Sequence, residues 1–141
     1  MTWSDELYTF ITTHGTNPFG TRVYPRGEMP RTPPSDPYLT FEKVTSRHIR
    51  HLGGGSELAA TQFDLRVYAR RQRDSDTNAA IVKDMLDNRH HEDWSGTTMY
   101  GAFVDDTDES HLPPDDDSKR ATFISRLTVT IWHGENATPI A

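Results

Sequence analysis

"RHLGGGSELAATQFDLRVYAR", residues Arg50–Arg70, joins two signals that set the fold. Gly53, Gly54 and Gly55 interrupt the chain. After them Thr61, Phe63, Leu65, Val67 and Ala69 alternate with Gln62, Asp64, Arg66, Tyr68 and Arg70. Successive side chains of a strand point to opposite faces, so a period of two marks a strand with one covered face. The segment before the glycines, Tyr38–Arg50, is rich in β-branched and aromatic residues. Its apolar phase changes from Leu39 and Phe41 to Val44, which predicts a bulge or a strand covered on both faces. Two long strands meeting at three glycines make a long β-hairpin arm. Its tip region carries Arg47, His48, Arg50, His51, Gly53, Gly54, Gly55 and Glu57.

On the N-terminal side, Leu7, Phe10, Ile11 and His14 recur at helical spacing behind Ser4, a good N-cap, with Gly15 as a stop. Prolines at 18, 25, 30, 33, 34 and 37 limit regular structure to a brief strand near Val23-Tyr24 and give a Pro-rich loop at about 25–37. On the C-terminal side, Asp74-Ser75-Asp76 offers caps for a helix with Ala79, Val82, Met85 and Leu86 on one face, ending near Asn88–His91. Thr97–Val104 reads as a strand with Met99, Gly101 and Phe103 on one side. Phe123–His133 reads as another, with Phe123, Leu127, Val129 and Ile131 inward. The segment Asp105–Lys119 between them reads as an acidic loop. These elements predict an α+β fold in a single domain, 1–141: a mainly antiparallel sheet of four to five strands with two helices packed on one face.

Composition narrows the chemistry. Fifteen Lys and Arg against 21 Asp and Glu give a formal net charge of −6, the wrong sign for a protein that works by neutralising phosphates. With 33% hydrophobic residues and 26% charged, the core is modest and gains from burial against neighbouring subunits. Cysteine is absent, which removes thiolate metal sites and cysteine nucleophiles. The first residues lack the basic and apolar regions of a secretory signal, and no run is long enough for a membrane span, so a cytoplasmically made protein without membrane contact is expected.

Seven histidines invite a metal reading. His48 and His51 are three apart, a spacing that sends strand side chains to opposite faces. His90 and His91 sit at a helix end, where a cation suits the dipole. The three glycines lack the lysine and the following helix of a phosphate loop. Asp105, Asp106, Asp108, Asp115, Asp116 and Asp117 supply carboxylates without the glycine and glutamate of a calcium loop, and are read as a solvated acidic loop that repels passing DNA. No serine lies in a nucleophile-elbow pattern. The arginines at 66, 70, 71 and 73, interleaved with acids, are the outward face and exit of the long strand. No catalytic residue, metal or cofactor is assigned.

Four stretches, "RVYP" (Arg22–Pro25), "PYLTFEKV" (Pro37–Val44), the opening Arg50–Arg70 stretch and "FISRLTVTIWH" (Phe123–His133), appear in an order and spacing that resembles the tail completion, or tail terminator, proteins of long-tailed phages. The resemblance spans most of the chain and departs at Glu28–Pro37 and Asp105–Lys119. It implies a structural virion protein, not an enzyme. Such a protein forms a ring, usually of six copies, at the head-proximal end of the tail, ends tube growth and joins the tail to the head connector. The implied partners are other copies of itself, the tail tube protein and a connector or stopper protein, with DNA passing through the lumen unbound. The implied location is the neck of the virion, after assembly in the host cytoplasm. The hairpin arm then becomes the candidate subunit interface, its arginines meeting acids on a neighbour. Two other readings stay open: another neck ring such as a connector or stopper, and a small metal-assisted hydrolase using His48, His51, His90 or His91 with nearby aspartates.

Overall fold

The computed structural model describes residues 3–28, 37–51, 54–94, 97–112 and 122–134. In chain order these form α1 (Trp3–Thr13), β1 (Val23–Pro25), a 3-10 turn (Arg26–Glu28), β2 (Tyr38–His51), β3 (Gly54–Ala69), α2 (Gln72–Leu86), β4 (Arg89–Trp94), β5 (Thr97–Leu112) and β6 (Thr122–Gly134). The strands make one open sheet in the order β1-β2-β3-β6-β5-β4. Every neighbouring pair is antiparallel except β1 with β2. The fold class is the α+β class that the sequence pattern predicts, with six strands instead of four or five.

The alternating stretch forms the middle of the sheet. β3 pairs with β6 in an unbroken register from Leu58↔Gly134 to Ala69↔Phe123. Its odd-numbered residues, with Leu127, Val129 and Ile131 of β6, are buried on one face. Trp3, Leu7 and Ile11, spaced four apart on α1, and Val82, Met85 and Leu86 of α2 join them in a single cluster with Leu39 and Phe41 of β2. Both helices therefore cover the same face. Each large side chain sealed there contributes about 1.5–3 kcal/mol relative to exposure.

The phase change in β2 is a bulge. Lys43 pairs with Phe63 and Thr45 with Gln62, leaving Val44 without an opposite residue. Val44 is 55% exposed, so the strand is not covered on both faces at this point. A second shift lies between His48 and Arg50.

Four local expectations are corrected. Gly15 does not stop α1 by a left-handed turn. The chain turns through Asn17, whose side chain accepts from Phe19 N–H (3.0 Å) and donates to the Gly20 carbonyl (2.8 Å), and Gly20 takes the positive φ of 61°. α2 starts at Gln72, ahead of the expected caps, because Ser75 is used elsewhere: its hydroxyl is buried and meets the Ser125 hydroxyl of β6 at 2.7 Å. The second helix, expected to end near Asn88–His91, ends at Leu86, and residues 89–94 form β4. Their sequence has no apolar alternation, and the strand is set by pairing with β5 and by Trp94, which stacks on Phe10 at 4.3 Å. Asn88, with φ 57°, makes the turn from α2 into it.

The acidic stretch is the fourth correction: the expected loop at 105–119 is strand as far as Leu112. Pairing with β6 overrides the low strand propensity of aspartate, and Asp108 lies opposite Arg126 in that register. Register shifts at Tyr100 and Asp105 also alter the phase of β5. Met99 and Ala102 enter the core, Tyr100 is exposed, and the partly exposed Phe103 ring meets His90 edge-on at 5.6 Å. Gly101 is explained by that packing, since a Cβ there would lie 2.9 Å from the Phe103 ring.

The Ser75–Ser125 contact ties α2 to β6 through two buried hydroxyls. Ser75→Ala is expected to cost about 1–2 kcal/mol in urea unfolding because Ser125 loses its partner. The Ser75→Ala/Ser125→Ala pair should cost less than the two single losses added together. Strict additivity would show that the contact contributes nothing of its own.

Candidate functional site

The candidate surfaces follow from what the helices leave uncovered: the second face of the sheet, its two edges and the hairpin arm. β2 and β3 continue beyond the end of β6 as a two-stranded arm. Arg47 pairs with Ala60 and His48 with Ala59 where β6 is still alongside, and Arg50 pairs with Gly55 and His51 with Gly54 past Leu58, the last β3 residue paired with β6 among the described residues. Of the hairpin residues predicted from sequence, Arg47, His48, Arg50, His51, Gly54 and Gly55 share one backbone ladder, and Glu57 lies on β3 inside the register shift between them. Gly53 lies outside the described residues. Of the acidic set, Asp105, Asp106 and Asp108 lie together on β5, on the far side of the sheet from the arm. Asp115, Asp116 and Asp117 lie outside the described residues, as does 29–36 of the Pro-rich segment.

The uncovered sheet face is polar and internally paired. Its centre is Asp64, 5% exposed although it lies on the polar phase of β3. Arg126 of β6 donates to it at 2.7 Å, and the Arg66 guanidinium lies 3.4 Å away. Toward β2, Tyr38 and Tyr68 stack at 4.6 Å, and Arg26 bonds Glu42 at 2.8 Å. Toward β5, the Thr130 hydroxyl donates to Asp105. A groove of about 470 Å³ runs between α2 and the β5–β6 hairpin, with Asp76 and Lys83 on one wall and Asp108 and Arg126 on the other.

Sequence reasoning read Arg66 as an outward residue and missed Asp64. Strand alternation sorts side chains by face, but it does not reveal that two arginines from neighbouring positions close over a carboxylate. The legible signal was Asp64 in a run of outward cations, combined with Arg126 at the matching phase of β6.

Reactive groups are held in structural contacts. The Thr61 hydroxyl lies 2.7 Å from His133 Nε2, the composition of a nucleophile and its base. Both residues are buried, and the His133 ring stacks on Trp3 at 4.5 Å, which closes the pair to substrate. His90 meets the Asn88 side chain at 2.9 Å, and His14 meets the Thr16 hydroxyl at 2.9 Å. His48 and His51 both lie on β2, on either side of the register shift between His48 and Arg50. Among the described residues no three His, Asp or Glu side chains converge as a metal site, and no helix is long and apolar enough to cross a membrane.

Asp64 should be the most sensitive position on the open face. Asp64→Ala strands two arginine charges and is expected to cost about 2 kcal/mol, below the about 3–5 of a fully buried pair because Arg126 is 48% exposed. Asp64→Asn should lose less, since it keeps an acceptor. Equal urea midpoints for wild type and Asp64→Ala would remove the ion pair from the account of stability.

Comparison with known proteins bears on the fold. No family model matches the chain, and neither does any curated protein. Among solved structures, the chain is similar to one in the virion of a native gene transfer agent particle, at 17% identity and a TM-score of 0.58. The match covers 82% of this chain and 80% of that one, a likeness of fold over most of both.

Proposed function

We propose that this chain is a structural virion protein of a long-tailed phage or phage-like particle, and within that class a tail terminator. Copies of it, six on the family pattern, form a ring at the head-proximal end of the tail tube. There they end tube growth and meet the connector or stopper of the head. The observation that carries the reading is the fold likeness, over 82% of this chain, to a chain of a gene transfer agent virion.

Two features support it. The stretches that carry the sequence resemblance fall on β1, β2, β3 and β6, which are consecutive neighbours in the sheet. The resemblance therefore follows a contiguous structural block and not scattered segments. The charge balance also suits a conduit: at −6 the subunit repels a polyanion, and a ring lumen that bound DNA would hold back the genome. The role is structural and not catalytic, with other copies, the tube protein and the connector or stopper as partners. The site of action is the virion neck, after assembly in the host cytoplasm.

The test is the native mass of the purified chain over a concentration series, with electron microscopy of the particles. A mass near six times 16.1 kDa and rings with a central opening are expected. Added to polymerising tube protein, the ring should shorten the tubes. A chain that stays monomeric at every concentration and leaves tube length unchanged would refute the reading.

A further inference from the structure

Two stretches of strand edge are left unpaired among the described residues, and they are complementary. β1 covers the outer edge of β2 only at Leu39–Phe41, leaving Glu42–His51. β4 covers the outer edge of β5 only from Thr97 to Ala102, and the Asp87 side chain accepts from the Val104 N–H at 2.9 Å, leaving Asp105–Leu112. An open edge of this length is a template for another strand, and proteins that must stay monomeric blunt such edges.

Their charges are opposite. The β2 segment contains Lys43, Arg47 and Arg50 with two histidines, and its one acid, Glu42, is engaged by Arg26 at 2.8 Å. The β5 segment contains Asp105, Asp106, Asp108 and Glu109 and no lysine or arginine.

We propose that copies of this chain join edge to edge, the β2 edge of one pairing antiparallel with the β5 edge of the next. This rests on the reading of the chain as a ring subunit and specifies how the ring is closed. Three antiparallel steps separate β2 from β5, so the two run in opposite directions. A second copy in the same orientation therefore presents an antiparallel partner, the better-bonded arrangement. The contact is heterologous, which is the kind that makes rings. Pairing β2 with β2 or β5 with β5 would set like charges together, so the charge pattern also selects against the symmetric dimer.

The register follows from what blocks each edge. Lys43, Phe63, Val129 and Val104 lie at one level across the sheet. From that level the open part of β2 runs toward the arm and the open part of β5 runs the other way. Pairing Glu42–His48 of one copy with Asp105–His111 of the next shifts each copy by about five residues, roughly 16 Å, against a four-strand repeat (β2, β3, β6 and β5) of roughly 19 Å. Strands then incline by about 40° to the ring axis, within the about 35–45° of closed barrels. A smaller shift would drive β1 or β4 against the neighbour. Bulges at Val44 and Asp105 interrupt each edge, so the regular part of the new ladder sets Thr45–Arg47 of one copy against Asp106–Asp108 of the next. It brings position 47 opposite position 106, and position 46 opposite position 107.

The experiment uses the full chain. Arg47→Glu and Asp106→Lys should each weaken self-association about tenfold, as close interfacial charge pairs do. An equimolar mixture of the two variants should return to within about threefold of wild type, because each carries the edge that complements the other; this recovery also shows that both are folded. With no native cysteine, a Ser46→Cys/Thr107→Cys variant should oxidise to a ladder of linked copies, whereas either single variant should stop at dimers. Rings of wild-type mass with neither cross-linking nor an effect of reversal would overturn the edge pairing while leaving the ring reading intact. Monomer at every concentration without cross-links would overturn both.

Discussion

The structure depends on the pairing of β3 with β6. These two strands are hydrogen-bonded on both sides over most or all of their length, and their mutual register has no shift between Leu58 and Ala69. A slip of one residue would exchange Phe63, Leu65 and Val67 for Asp64, Arg66 and Tyr68 at the core face. That slip would bury charge against α1 and α2, so one register is enforced. The bulges at Val44, Tyr100 and Asp105 all lie in the outer strands β2 and β5, where local irregularity does not disturb the central pair.

The two faces of the central pair divide the work. One seals both helices onto the sheet through a single apolar cluster. The other closes two arginines over Asp64 and stacks Tyr38 on Tyr68. With the broad faces occupied in these ways, the unmet backbone groups concentrate at the rims of the sheet. A protein whose rims are oppositely charged is suited to association with its own kind in one direction.

The long strands, both helices and the α+β class were legible because each rests on local periodicity: period two at Thr61–Ala69 and helical spacing at Leu7–Ile11 and Val82–Leu86. The bulge at Val44 was legible from its phase. β4 was not, because Arg89–Glu92 has no alternation and becomes strand through its partner β5. Asp105–Leu112 was misread for the same reason, since it is held by residues some twenty positions later. Of the candidate site, the hairpin ladder was visible in the glycines and their flanks. The pairing of Asp64 with Arg126 was hidden, because contacts 62 residues apart leave no local trace.

The separation between β3 and β6 also governs how the domain comes into being. The β2–β3 hairpin can form early, but the inner edge of β3 has no partner until β6 is available, and the closure between them spans α2, β4 and β5. Such nonlocal pairing places the chain among slower folders, in the range of milliseconds to seconds. Throughout that interval an apolar strand stands with one side unsatisfied, where aggregation begins. The yield of competent subunits is then a race between β6 docking and off-pathway association. Temperature and chain concentration shift its outcome before any finished subunit meets another.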